Sequence, residues 1–86
     1  MRIWKYPLKD ADQQNLKLPV GAKILTVQIQ RGVACLWALV DEEMMPSTEI
    51  RTIAIYGTGN PMPDEAGEYI ATFQAGEFVF HVFEYK

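Results

Sequence analysis

A strand that runs into small residues leaves its last backbone N–H groups unshielded, and Gly57-Thr58-Gly59-Asn60 has that character. Consecutive N–H groups in such a turn can cradle an anion. The surrounding stretch, Glu49–Pro63 (EIRTIAIYGTGNPMP), adds two companions. Arg51 offers a planar guanidinium fork that matches phosphate or carboxylate, and Tyr56 offers an aromatic face on which a base can stack. The expected ligand-binding residues are therefore Arg51, Tyr56, Gly57, Thr58, Gly59 and Asn60. The chemistry expected of them is binding: the stretch has neither the GK[ST] of a phosphate-binding loop nor the third glycine of a dinucleotide fold. A plain strand-ending turn stiffened by Pro61 and Pro63 is the competing reading of the same residues.

No reactive set assembles elsewhere. Cys35 and His81 would make a thiol–imidazole pair only if they met. Cys35 instead lies among Val33, Ala34, Leu36 and Trp37, where a cysteine behaves as a small inert hydrophobe. One Cys and one His fall short of a zinc ligand set. Asp41, Glu42 and Glu43, or Asp64, Glu65 and Glu68, lack calcium-loop spacing. The expectation is a protein that is not an enzyme and holds no metal and no cofactor.

The elements that must position the loop read as strands. Lys23–Arg31 places Leu25, Val27 and Ile29 on one face and Thr26, Gln28 and Gln30 on the other, a period of two. Gln30-Arg31-Gly32 then turns it into Val33–Val40, which is apolar on both faces and so expected at the centre of a sheet whose second face is also covered, by another sheet, a helix or another subunit. Trp37, inside that strand, is expected in the core. Glu49–Tyr56 alternates again, Arg51 sharing a face with Ile53 and Ile55. Tyr69–Gln74 and Glu77–Tyr85 read as a second hairpin, aromatic on both faces, while Arg2–Leu8 and the Leu16/Leu18 alternation add two more strands. Asp64–Gly67 has room for one helical turn. The fold class expected is all-β, a six- or seven-stranded, mostly antiparallel sandwich or partly open barrel.

Eighty-six residues make one domain, 1–86. With a single cysteine no internal disulfide forms, which favours a reducing cytoplasm. Nothing approaches the roughly 18 apolar residues of a membrane helix, and the charged N-terminus is not a signal peptide. A pI near 5.0 opposes direct nucleic-acid binding. The charge is uneven, residues 1–31 carrying +4 and residues 32–86 carrying −7. Either antiparallel partners interleave the halves, or the molecule has a basic and an acidic side suited to self-association or a charged partner.

In Gly21–Asp41 (GAKILTVQIQRGVACLWALVD), Glu49–Pro61 and Tyr69–Tyr85 (YIATFQAGEFVFHVFEY), the chain resembles a family of short proteins of bacteria and their phages whose function is unknown. The resemblance implies a phage or prophage origin, hence the host cytoplasm, and transfers no activity. The expected function is a small homo-oligomeric binding protein that sequesters a nucleotide-like or anionic small molecule to counter host defence. The alternative is an inhibitor whose acidic surface engages a host nucleic-acid-binding protein.

Overall fold

The alternation written in the sequence becomes an alternation of faces in the computed structural model, which describes residues 1–85. Seven strands form: β1 (Arg2–Pro7), β2 (Gln13–Pro19), β3 (Lys23–Gln30), β4 (Val33–Val40), β5 (Thr48–Gly57), β6 (Glu68–Ala75) and β7 (Phe78–Tyr85). They make two antiparallel sheets, one ordered β1-β4-β3 and the other β2-β5-β7-β6. The sheets do not close into a barrel. They come side by side along β3 and β6, where Gln28 Nε2 donates to the Thr72 carbonyl at 3.4 Å.

One core lies between the sheets, built from their inward rows. Leu18 of β2, Val27 of β3, Leu36, Ala38 and Val40 of β4, Ile53 of β5, Ala71 and Phe73 of β6 and Val82 of β7 all belong to it. They alternate along each strand. The sequence pattern located Leu18, Val27 and Ile53, whereas β4 and the β6–β7 hairpin are apolar on both faces, and register shifts take Leu25 and Tyr69 off the rows expected for them.

The β3–β4 hairpin turns in two residues, with Arg31 at φ 51° and Gly32 at φ 80°. Positive φ at both positions is the geometry that follows the natural twist of paired strands. Near the other end of β3, the register slips between Ile24 and Thr26, leaving Leu25 as a bulge residue.

Two expectations are corrected, and a third is narrowed to a cover from outside the chain. β4 is central in its sheet, but its second face is not covered by another element among the described residues. Trp37 therefore lies on the outward row with Cys35 and Leu39, half-buried and outside the core. An apolar strand gives no sign of which face looks out, and Trp37 took the solvent side. Asp64–Gly67 forms no helical turn, because Gly67 adopts φ 98°, incompatible with a helix. The only helical turn among the described residues is the short Glu42–Met44, capped by Asp41, whose carboxylate accepts from Glu43 N at 3.1 Å.

Candidate functional site

At one end of the core the sheets leave a cavity of about 610 Å³. Its floor is apolar: Ile29 and Ala34 come from the β3–β4 hairpin, Ile55 from β5, and Phe73, Ala75 and Phe80 from the β6–β7 hairpin. The Phe73 and Phe80 rings lie 5.5 Å apart, tilted by 31°. These side chains continue the inward rows past the last fully buried residues, so the cavity is the core left open at its end. Its rim is polar, with Lys9, Asp10 and Asp12 on one side and Asn60 on the other.

The β1–β2 connection that carries Lys9, Asp10 and Asp12 is pinned at both ends. Leu8 N donates to the Ala34 carbonyl at 2.8 Å, and Ile55 N to the Asp12 carbonyl at 2.8 Å. Between them Gln14 closes a small ring, its Oε1 accepting from Lys9 N at 2.9 Å and its Nε2 donating to the Lys9 carbonyl at 3.0 Å. The rim is thus held by backbone and amide bonds while its charged side chains stay free to face a ligand.

The six expected ligand residues divide. Tyr56, Gly57 and Asn60 border the cavity; Thr58, Gly59 and Arg51 do not. The loop is a tight turn in which Asn60 N donates to the Gly57 carbonyl at 3.1 Å and Gly59 takes φ 87°. Thr58 N is bonded to the Val79 carbonyl at 3.1 Å. Two of the loop's N–H groups therefore point back into the protein, and the cradle of consecutive free N–H groups is not formed. Thr58 faces the outside of the β2-β5-β7-β6 sheet, its Oγ1 lying 2.7 Å from His81 Nε2.

Arg51 is at the other end of β5, six residues from Gly57, about 20 Å away at roughly 3.3 Å per residue. It shares the inward face with Ile53, as the alternation required, and there it pairs in bidentate fashion with Glu84 of β7. Its Nη2 donates to Glu84 Oε1 at 2.9 Å, its Nε to Oε2, and its Nη1 to the Ala22 carbonyl at 2.8 Å. Bonding to the carboxylate holds the guanidinium above its ordinary range, against the opposing effect of burial. A guanidinium so occupied caps its end of the core together with Glu84. Sequence reading missed Glu84 because the pair depends on the β5–β7 register.

Tyr56 precedes the loop at the end of β5. It borders the cavity, yet its ring packs edge-on against Phe83 of β7, with centroids 6.0 Å apart. Cys35 and His81 lie on the outward faces of different sheets, so no thiol–imidazole pair exists. No group of three or more metal-ligating side chains occurs among the described residues. The floor residues Phe73, Ala75 and Phe80 were missed because they meet only when two hairpin tips and the end of β5 converge. Small residues at both tips, Gly32 and Gly76, were the available signal.

The charge halves interleave, β1 and β3 pairing with β4 and β2 with β5, and among the described residues Glu42 of the acidic half binds the Met1 ammonium at 2.9 Å and Arg2 Nε at 2.8 Å. No helix of the described residues is long and apolar enough to cross a membrane. Compared with known proteins, residues 1–86 match the family model described as Domain of unknown function (DUF7352). No curated protein and no solved structure matches the chain.

Proposed function

Since the chain belongs to the family of the domain of unknown function DUF7352, which hands it no activity, we propose from its geometry that it is a small-molecule binding module and not an enzyme. The observation that supports this reading is the open end of the core, a preformed cavity of about 610 Å³ with an apolar, partly aromatic floor and a few polar groups at its mouth. Ligand pockets typically span roughly 300–1,000 Å³ and have this division between body and rim. The architecture that creates it is a two-sheet sandwich joined along β3 and β6 and unsealed at one end.

The lining sets the ligand class. A compact molecule with an apolar or aromatic body fills the floor between Phe80, Ile55 and Ile29, while an anionic or polar head meets Lys9 at the rim. Asp10 and Asp12 beside it favour a head that also carries donors, such as a base edge or an amine. A nucleotide-like molecule has both features. Holding it needs no catalytic group, and sequestration is the use such a pocket has without one. The acidic-surface alternative is less well served, because Glu42 and Glu84 are already engaged by cations.

Anilinonaphthalene sulfonate, an aromatic body with one anionic head, tests the pocket directly. It should bind the folded protein at one saturable site, adenosine monophosphate should compete, and Ala75→Trp, which fills the floor, should abolish binding while the fold persists. Lys9→Ala should weaken it about tenfold, the value of one charge-assisted contact. Binding unaffected by Ala75→Trp, or absent in the wild type, would overturn the proposal.

A further inference from the structure

The outward rows of the two sheets are built differently. On β1-β4-β3, Ile3 and Trp37 share their face with Lys5 and Lys23, and Lys5 Nζ reaches across β4 to Gln30 Oε1 at 2.8 Å. That strap passes over Cys35, which is only 3% exposed although it lies on an outward row. On β2-β5-β7-β6, Lys17 of the edge strand β2 is the only charged side chain in the outward rows. In their place stands an aromatic patch: Phe83 packs in T-shaped contact with Tyr56 and Tyr69, ring centroids 6.0 and 5.6 Å apart, and Tyr85 lies beside it. Tyr69 and Tyr85 are 56% and 46% exposed.

Several of the polar groups near the centre of this face are already bonded to one another. Tyr69 Oη and Thr72 Oγ1 are 2.8 Å apart, Thr72 Oγ1 lies 3.1 Å from His81 Nδ1, and His81 Nε2 lies 2.7 Å from Thr58 Oγ1. Thr52 likewise donates to Asn15 Oδ1 at 2.8 Å. Covering a polar group costs most when its hydrogen bond to water has no replacement. For the Tyr69–Thr72–His81–Thr58 chain and for Thr52 the replacements exist before any partner arrives, which lowers the cost of drying this part of the face.

Depletion of charge with enrichment of aromatics marks the centre of a protein interface rather than a solvated surface. We propose that this face binds a second copy of the chain, forming a twofold dimer centred on Phe83. The charge pattern selects that occupant. In a twofold pair the same face lies on both sides, so a row bearing Lys5 and Lys23 would oppose lysines with lysines, whereas the neutral row meets no like charge at its centre. Four strands about 4.8 Å apart and eight residues of about 3.3 Å give a footprint on the order of 500 Å² per copy. Two such footprints come to about 1,000 Å², at the lower bound for a specific interface. The dimer is therefore weak and concentration-dependent.

Sedimentation equilibrium from micromolar to hundreds of micromolar should show a monomer–dimer equilibrium for the wild type. Tyr69→Lys and Tyr85→Lys, each placing a charge on an exposed position of the face, should raise the dissociation constant at least tenfold with unchanged circular dichroism. Ile3→Lys, on the other sheet, should leave it unchanged. Amide shifts of the wild type on dilution, which need no variant, should move in β5, β6 and β7 and not in β1. A monomer throughout, an open-ended series of oligomers, or a dimer broken by Ile3→Lys and not by Tyr69→Lys would overturn the proposal. The pocket opens at the end of the core and not on this face, so loss of dye binding and loss of dimerisation are separate failures.

Discussion

The two ends of the inter-sheet core are made by the same pair of strands and finished in opposite ways. Along the inward row of β5 the order is Glu49, Arg51, Ile53, Ile55, Gly57, the last three opposite Glu84, Val82 and Phe80 on β7. At the first end the core stops in a guanidinium–carboxylate pair with side chains 17% and 9% exposed, seated on the Ala22 carbonyl. At the second it stops in a glycine and a half-buried phenylalanine beside the cavity. A bidentate pair can fill a core end only where every donor has an acceptor, and there it shuts the layer. A glycine cannot fill anything, and there the layer stays open. Under the proposed function, recognition belongs to the end where hydrophobic surface has been left without a lid.

The comparison breaks most completely at the closed end. Gly67 sits with φ 98° where a Cβ would run into the backbone carbonyl of Glu84. Gly67→Ala combines left-handed strain with a clash that only a backbone shift relieves, so about 3–5 kcal/mol of stability should be lost. Gly59→Ala, at φ 87° but with nothing within 4 Å of the added carbon, should cost only about 1 kcal/mol. Urea unfolding of the two variants checks the contrast; equal losses would mean that the approach of Gly67 to Glu84 does not close the end.

The ion pair itself comes next. Arg51→Ala leaves Glu84 shielded with its bidentate partner removed, and breaking a buried pair in this way costs about 3 kcal/mol or more. Replacing both partners together, Arg51→Met with Glu84→Leu, should restore most of that, since a well-packed apolar pair is close to neutral against a buried ionic one. Dye binding at the open end should survive in every one of these variants that folds. If Arg51→Ala instead removed ligand affinity without lowering the melting temperature, Arg51 would be a binding residue after all.

How much of this was legible follows from what each feature depends on. The placing of Arg51 with Ile53 and Ile55 comes from period-two alternation within one strand, and the Arg31-Gly32 turn from its glycine, so both could be read directly. Glu84 as the partner of Arg51, and Gly67 beneath Glu84, depend on which strands become neighbours and in what register, which a single strand does not encode. Trp37 shows a further limit: in a strand apolar on both sides, hydrophobicity alone cannot assign the buried face. For the site, the sequence reached the rim through Tyr56, Gly57 and Asn60, while the floor is assembled from three separate segments of the chain.

The smallest effect belongs to the ion cluster outside both ends, and it shows whether burial is what gives the Arg51–Glu84 pair its weight. Glu42 takes hydrogen bonds from the Met1 ammonium and from Arg2, and these hold its carboxyl below the ordinary range. A carboxyl whose folded value is depressed contributes stability that is present above its unfolded value, about 4.3, and is lost as the pH falls through the folded value. Glu42→Gln should therefore remove a small increment at neutral pH and flatten the acid limb of the stability profile, with no change at the acid extreme. Because the cluster is solvent-exposed, moderate salt should erase the difference between variant and wild type, while the loss in Arg51→Ala should persist. Thermal melts from pH 3 to 7 at low and moderate salt test this; a salt-insensitive loss in Glu42→Gln as large as that of Arg51→Ala would show that closure of the core end is not what distinguishes the two pairs.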